Sequence, residues 1–215
     1  MLKVWGRRNS GNVQKVMWLV GELGLTHDHI PAGGAYGRLQ SEEFGKLNPN
    51  RRVPVIEDGD LVVWESDAIL RYLAAKYGAP AFWPDDPGVR SLADRWMVWS
   101  LVEWQPAFLG GVFWGFYRTP EAHRDWASIN RSLAHCADLL QIVEGALEGR
   151  DYLAGDQLTL ADIPLGTTLY RYYRLEIARP KLPRVEAWRE RLEARPAYRQ
   201  HVMVPFHDLK GKLAS

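Results

Sequence analysis

The chain has 215 residues, 47% of them hydrophobic and 25% charged, enough for one large core or two small ones, which excludes a disordered chain. Its net charge of +1, from 27 basic against 26 acidic side chains, gives no basis for nucleic acid or an anionic membrane as the main partner. A single cysteine, Cys136, excludes an internal disulfide and a cysteine metal cluster, and fits a reducing cytoplasm.

The opening MLKVWGRR has no long apolar run before a small-residue cleavage site, so no secretory signal is read there. No stretch reaches the ~18 apolar residues of a membrane span. Residues 2 to 5, LKVW, predict a short strand ending at Gly6. Val13, Val16, Met17, Val20 and Leu23 then recur at helical spacing, with Gly24 as the stop. Residues 26 to 30 predict a second strand, and PAGGAYGR after them is a loop. The runs VPVIE and LVVW, joined through Asp58-Gly59, carry a hairpin signal. ESDAILRYLAAKYG predicts a helix with Ser66 as cap and Gly78 as stop. A small α/β domain over residues 1–78 follows from this order.

GAPAFWPDDPG, rich in proline and glycine, marks a linker over 79–87. Helical patterns cover roughly 88 to 117, 121 to 148, 160 to 174 and 183 to 194, which makes 88–215 an all-helical domain. Thr159 and Asp162 stand three apart, as a helix cap requires, so Asp162 is read as structural. Cys136, in LAHCADLL, reads as a small helix-packing residue. The histidines at 27, 29, 123 and 135 show no metal-ligand spacing, and no metal is expected. Glutamates interleave the arginines from Arg171 to Arg199, which suits a solvated helical surface.

Three places carry candidate chemistry. Val53-Pro54 opens a strand either as an ordinary trans proline at an edge or through a cis bond that leaves the Val53 backbone free for an extended peptide. Glu65 and Ser66 head a helix, where a serine can cap or the exposed N–H groups can take a carboxylate while Glu65 meets an ammonium. Ser10 and Asn12 precede the first helix, where they cap it or stabilise a thiolate. A free thiol titrates near ~8.5, and lowering that by about two units needs about 2.7 kcal/mol. One charge-assisted hydrogen bond at ~1.5–3 kcal/mol with up to ~1 from the helix terminus supplies this.

Taken together, SGNVQKV at 10 to 16, NPNRRVPVIEDGDLVVWESDAILRYLAAKYG at 48 to 78 and YLAGDQLTLADI at 152 to 163 resemble the glutathione transferase family. The likeness runs over essentially the whole chain and is greatest to the bacterial B type, in WGR, NSxNVxKV and WESDAI. It implies a thioredoxin-like N-terminal domain followed by a C-terminal helical bundle, in a cytoplasmic homodimer that serves detoxification. It further implies glutathione as co-substrate, no permanently bound cofactor, and a small, mostly apolar electrophile as second substrate. By motif, thiol activation falls on Ser10 or Asn12, which stays open. The cis proline falls on Pro54, backbone pairing to the cysteinyl residue on Val53, the γ-glutamyl clamp on Glu65 and Ser66, and the glycine carboxylate on Arg52. Arg51 stands where relatives often have glycine, and is read as a solvated charge or a second anion contact.

The resemblance places the electrophile between domains, on the first long helix of the bundle. Trp99, Phe113, Trp114 and Tyr117 are expected to line its pocket, with Arg118 orienting an anionic electrophile. Ten tryptophans and nine tyrosines fit such a surface, although aromatics at helical spacing are mostly packing residues. With no cysteine in the first loop, an enzyme-bound mixed disulfide is disfavoured. A glutathione-dependent disulfide reductase and a non-catalytic glutathione-binding protein are the alternatives carried forward.

Overall fold

Val4 and Ile56, both fully buried, are partners across the centre of a four-stranded sheet. In the computed structural model, which describes residues 1–212, the sheet runs in the order β2-β1-β3-β4. Its strands are β1 (Leu2–Trp5), β2 (His27–Ile30), β3 (Val55–Asp58) and β4 (Leu61–Trp64). β1 and β2 are parallel, so the chain crosses between them through helix α1 (Gly11–Glu22). β3 lies antiparallel to both β1 and β4, and the β3–β4 pair is the hairpin expected from Asp58-Gly59. Side chains alternate along β1, so Trp5 faces away from Val4 and meets Phe44 of α2 (Glu42–Leu47) with ring centroids 6.0 Å apart. Helix α3 (Ser66–Tyr77) buries Ile69, Leu70, Leu73 and Ala74.

The chain forms two compact units. The first takes residues 1–83 and also 196–204; the second takes 84–195 and 205–212. The expectation of one helical block over 88–215 differs from this at 196–204, and its last three residues lie outside the described residues. The physical reason is helix α8 (Pro196–His201), whose fully buried Tyr198 meets the equally buried Trp18 of α1 edge to face at 4.8 Å. Gly21 gives this approach its room, since a Cβ there would touch Ala197 and His201.

The second unit contains α4 (Pro87–Trp99), α5 (Trp126–Ala146), α6 (Asp162–Arg174) and α7 (Pro183–Ala194). From Ser100 to Trp104 and again from Pro106 to Arg118 the helix beyond α4 widens to π-type bonding, where an α-helical run to 117 was expected. Trp104, Phe108 and Phe113 lie buried along this stretch, Trp104 donating to Thr168 Oγ1 at 2.7 Å and stacking on Phe108. Two short helices were not foreseen. α2 has six residues with only Phe44 buried, and α8 is as short, so neither shows a helical period. α5 starts at Trp126, capped by Asp125, and residues 121–123 form a separate 3-10 turn.

Asp162 is fully buried and receives hydrogen bonds from Leu153 N, Thr159 N and Trp188 Nε1 at 2.9, 3.0 and 3.1 Å. Burial pushes its carboxyl up to about 6, against the downward pull of those donors. The reading of Asp162 as structural agrees with this: it ties the start of α6 to the preceding loop and to α7.

Candidate active site

The first turn of α1 is the element to which the candidate residues of the first unit are referred. The loop before it is pinned at Gly6, whose N–H donates to Ile30 O and whose carbonyl lies 2.7 Å from His29 Nε2. Gly6 has φ 149°, and a Cβ there would collide with Val13 of α1 while lying 3.2 Å from Val53 Cβ. The loop, the first turn of α1 and Val53 are therefore in close contact at this glycine. Lys15, one half-turn on, reaches Ser66 Oγ at 3.4 Å and Asp67 Oδ1 at 3.2 Å at the start of α3. Ser10 and Asn12, Val53, and Glu65–Ser66, from three separate stretches of the sequence, thus border one helix end.

Ser10 stands at the N-cap position of α1, and its side chain makes no capping bond. The backbone carbonyl does the local work, accepting from Gln14 N at 2.9 Å. The hydroxyl is left without a capping bond, so of the two roles open from the sequence, cap or thiolate donor, the cap is not made. Asn12 Oδ1 is buried with no hydrogen-bond partner. The Val53–Pro54 bond is cis, which resolves the alternative left open by the dipeptide. Val53 precedes β3 and its backbone groups make no hydrogen bond among the described residues.

α3 begins one residue earlier than a Ser66 cap requires. Ser66 is its first residue, and Glu65 is the N-cap, in a left-handed conformation with φ 69° and with no side-chain capping bond. A non-glycine residue there costs ~1–3 kcal/mol and is typical of ligand clamps. The Glu65 side chain is exposed and makes no hydrogen bond. Ser66 and Asp67 are buried, and Asp67 Oδ2 has no donor in the protein. Lys15 is 1% exposed; burial lowers its pKa, while the charge and hydrogen bond of Asp67 pull it back up. Neither Lys15 nor Asp67 was singled out from the sequence. The spacing of Val13, Val16, Met17 and Val20 places Lys15 on the polar side of the helix, so the sequence carries no signal for its burial.

Arg52 is exposed, its carbonyl receiving Asn48 Nδ2 at 2.8 Å. Arg51 is a brace, neither solvated nor an anion contact. Its Nη1 donates to Leu39 O and Ser41 O at 2.9 and 2.8 Å, with φ 53° at its own backbone.

In the second unit the expected pocket residues separate. Phe113 is buried against Phe108, Tyr117 and Phe206, with the Arg171 guanidinium 5.0 Å from its ring centre. Trp99 is half-buried beside Trp96, and Tyr117 is half-buried between Phe113 and Phe206. Trp114 is exposed, and Arg118 lies over its ring at 4.1 Å. Arg118 is itself buried and donates from Nε to Lys212 O at 2.8 Å, while Gly211 N donates to Tyr117 O. Its guanidinium thus holds residue 212 and covers the Trp114 ring. Cys136 is buried, and desolvation pushes its thiol up to about 12, so it is inert as a nucleophile. Among the described residues no helix is long and apolar enough to cross a membrane, and no cluster of metal-ligating side chains occurs.

Two family profiles match the chain: "Glutathione S-transferase, N-terminal domain" over residues 1–75 and "Glutathione S-transferase, C-terminal domain" over 107–196. The chain is 36% identical to glutathione S-transferase GstB of Escherichia coli K12, covering 95% of this chain and 99% of the relative. It is 32% identical to glutathione S-transferase 1 of Triticum aestivum, with 91% of each covered. Among solved structures, the theta class glutathione S-transferase of Xanthomonas axonopodis pv. citri with glutathione bound superposes with a TM-score of 0.89 at 45% identity, covering 95% of this chain and 98% of that one.

Proposed function

The chain belongs to the glutathione S-transferase family, and we propose that it activates the glutathione thiol at the N-terminus of α1 for attack on a small electrophile. Glutathione lies extended, its cysteinyl N–H and C=O paired with the free backbone groups of Val53. Its α-ammonium meets Glu65, its α-carboxylate meets Ser66 and the uncapped N–H groups of α3, and its glycine carboxylate meets Arg52. The Ser10 hydroxyl donates to the sulfur, with Asn12 beside it, and the helix terminus adds to the stabilisation. The thiol proton passes to solvent and the thiolate forms the new carbon–sulfur bond; in a substitution the leaving group departs with its electron pair, and in an addition the electrophile's π bond breaks, its pair moves to the far atom and that atom takes a proton from solvent. Orientation and charge stabilisation account for this chemistry, and no covalent enzyme intermediate enters it. The second substrate is a mostly apolar molecule, for which the half-buried Tyr117 and exposed Trp114 are the available aromatic surfaces.

The observation that carries this reading is the uncommitted Ser10 hydroxyl on a helix end that also borders Val53 and the start of α3. The inert Cys136 and the absence of a first-loop cysteine favour the transferase over a reductase working through an enzyme disulfide. A homodimer in the cytoplasm completes the proposal. Val98, Leu101 and Val102, each about half exposed, form an apolar stripe suited to a second copy. Calorimetry with reduced glutathione, combined with the ultraviolet thiolate band against pH, tests the whole. Binding with a thiol pKa clearly below ~8.5 is expected. Binding with an unshifted thiol sinks the activating role, and no binding sinks the site.

A further inference from the structure

A fully buried lysine is expensive, because desolvating an ammonium costs several kcal/mol even when it is paired. Lys15 of α1 sits in that position against the start of α3, and packing alone is served better by methionine or leucine. Its counter-ion, Asp67, has one oxygen on the ammonium at 3.2 Å and the other buried without a donor. The pair is incompletely satisfied, which is poor design for a purely structural ion pair.

We propose that Lys15 is a positioning residue for the γ-glutamyl end of glutathione, orienting the Ser66 hydroxyl so that it donates to the ligand's α-carboxylate. The inference rests on the glutathione reading of the site. An ammonium only donates, so in the 3.4 Å contact Ser66 Oγ is the acceptor and its own proton must go elsewhere. Asp67 Oδ1 is a poor destination: it is 3.5 Å away and already holds Lys15. A carboxylate at the uncapped N-terminus of α3 is the stronger acceptor.

Charge points the same way. Ser66 lies between two acids, Glu65 and Asp67, which together would repel an incoming carboxylate. Lys15 offsets Asp67 from the inner side and leaves Glu65, exposed and free of hydrogen bonds, for the ammonium of the same ligand. Two acids and one buried cation leave one net negative charge for the ligand's ammonium, and a neutral residue at position 15 raises this to two, against the ligand's carboxylate.

The test compares two ligands on two proteins by calorimetry. The ligands are reduced glutathione and 4-aminobutyryl-cysteinyl-glycine, the same peptide without its α-carboxylate. Lys15→Met is expected to weaken glutathione by about tenfold or more, the worth of a charge-assisted hydrogen bond. Binding of the analogue should change by less than about twofold, since the group addressed by Lys15 is missing from it. Equal losses for both ligands would overturn the inference and make Lys15 a packing residue. Should Lys15→Met fail to fold, Lys15→Met/Asp67→Leu removes both charges and leaves neither orphaned, and the same comparison decides. If the unaltered protein does not bind glutathione, the site reading fails and the inference with it. If it binds and the two ligands lose equally, only the inference fails.

Discussion

Replacing Ser10 with alanine separates two roles that a residue before a helix ordinarily combines. A serine N-cap lost to alanine costs ~1 kcal/mol, which lowers the melting temperature of a chain this size by ~2–4 °C. Here the side chain makes no capping bond, so Ser10→Ala should shift the melt by less than about 2 °C, as an ordinary surface substitution does. The bound thiol, in contrast, loses a charge-assisted hydrogen bond of ~1.5–3 kcal/mol, or ~1–2 pKa units. Take the larger value, a pKa rising from ~6.5 to ~8.5: the thiolate fraction at pH 7 then falls about 25-fold. A more basic sulfur is a better nucleophile, with a Brønsted slope of ~0.4–0.5, which returns about eightfold. The net loss in kcat at pH 7 is then only about threefold, and the decisive observable is the pH profile. Its inflection should move up by ~1–2 units, and the variant should match or exceed the parent above pH ~9. The assay is kcat from pH 5 to 10, with the thiolate absorbance and the melt read on the same samples. An unmoved inflection, or a melt lowered by the full worth of a cap, refutes the assignment; an inflection moved by Asn12→Ala instead transfers the role to Asn12.

Three other perturbations address the frame around the site. Gly6→Ala places a Cβ into Val13 and against Val53, so glutathione affinity should fall together with stability, the latter by ~1–3 kcal/mol; parent-like binding would show that the close approach is dispensable. Asp162→Ala orphans two buried backbone N–H groups and the Trp188 indole and should cost about 3–5 kcal/mol in urea unfolding, each lost partner contributing ~1–3 before the gain from removing a buried charge. Asp58 is pushed up by its partial burial but held at about 2 by hydrogen bonds from Lys76, Tyr77 and Tyr72 and by the Lys76 charge. Its folded pKa lies below the unfolded value, so its stabilisation is complete above pH ~4 and is lost as pH falls toward 2. Asp58→Asn should flatten that acid limb, and an unchanged limb would count against the clamp.

What was legible in the sequence followed from how long each periodic signal lasted. β1, α1 and the hairpin of β3 and β4 carry alternation, helical spacing or an Asp-Gly turn, and their bounds fall within a residue or two of expectation. α2 and α8 have only six residues each and leave no period to detect. The stretch beyond Ser100 shows a different failure. Its buried positions fall at Ser100, Trp104, Ala107–Phe108, Val112–Phe113 and Arg118, and from Ala107–Phe108 onward they repeat every five residues, closer to a π-helical turn than to the 3.6 of an α-helix. Residues assigned to one face by α-helical spacing drift to another, which is why Phe113 and Arg118 lie in the interior while Trp114 faces out. The candidate site was legible only through the family motif. Ser10, Val53 and Glu65–Ser66 each have an ordinary local explanation, and nothing in their spacing brings them together.

α1 is what brings them together, and its burial explains why its polar residues matter. Every residue from Val13 to Val20 is buried, although the sequence shows a one-sided apolar stripe in which Lys15 falls on the polar side. The stripe meets the rest of the first core, the N-terminus of α3 covers Lys15, and Tyr198 of α8 closes over Trp18. A helix enclosed in this way has no solvent for its charges, so a lysine in it must be matched from inside the fold. Asp67 is that match, and it lies at the helix end where Glu65 adopts its left-handed backbone and Ser66 begins α3. At the N-terminus of the same helix Val13 packs on Gly6, which also lies close to Val53. A site assembled on one enclosed helix positions its groups more accurately than one built on loops alone, which is the ground on which residues 10, 53 and 65 are proposed to act together.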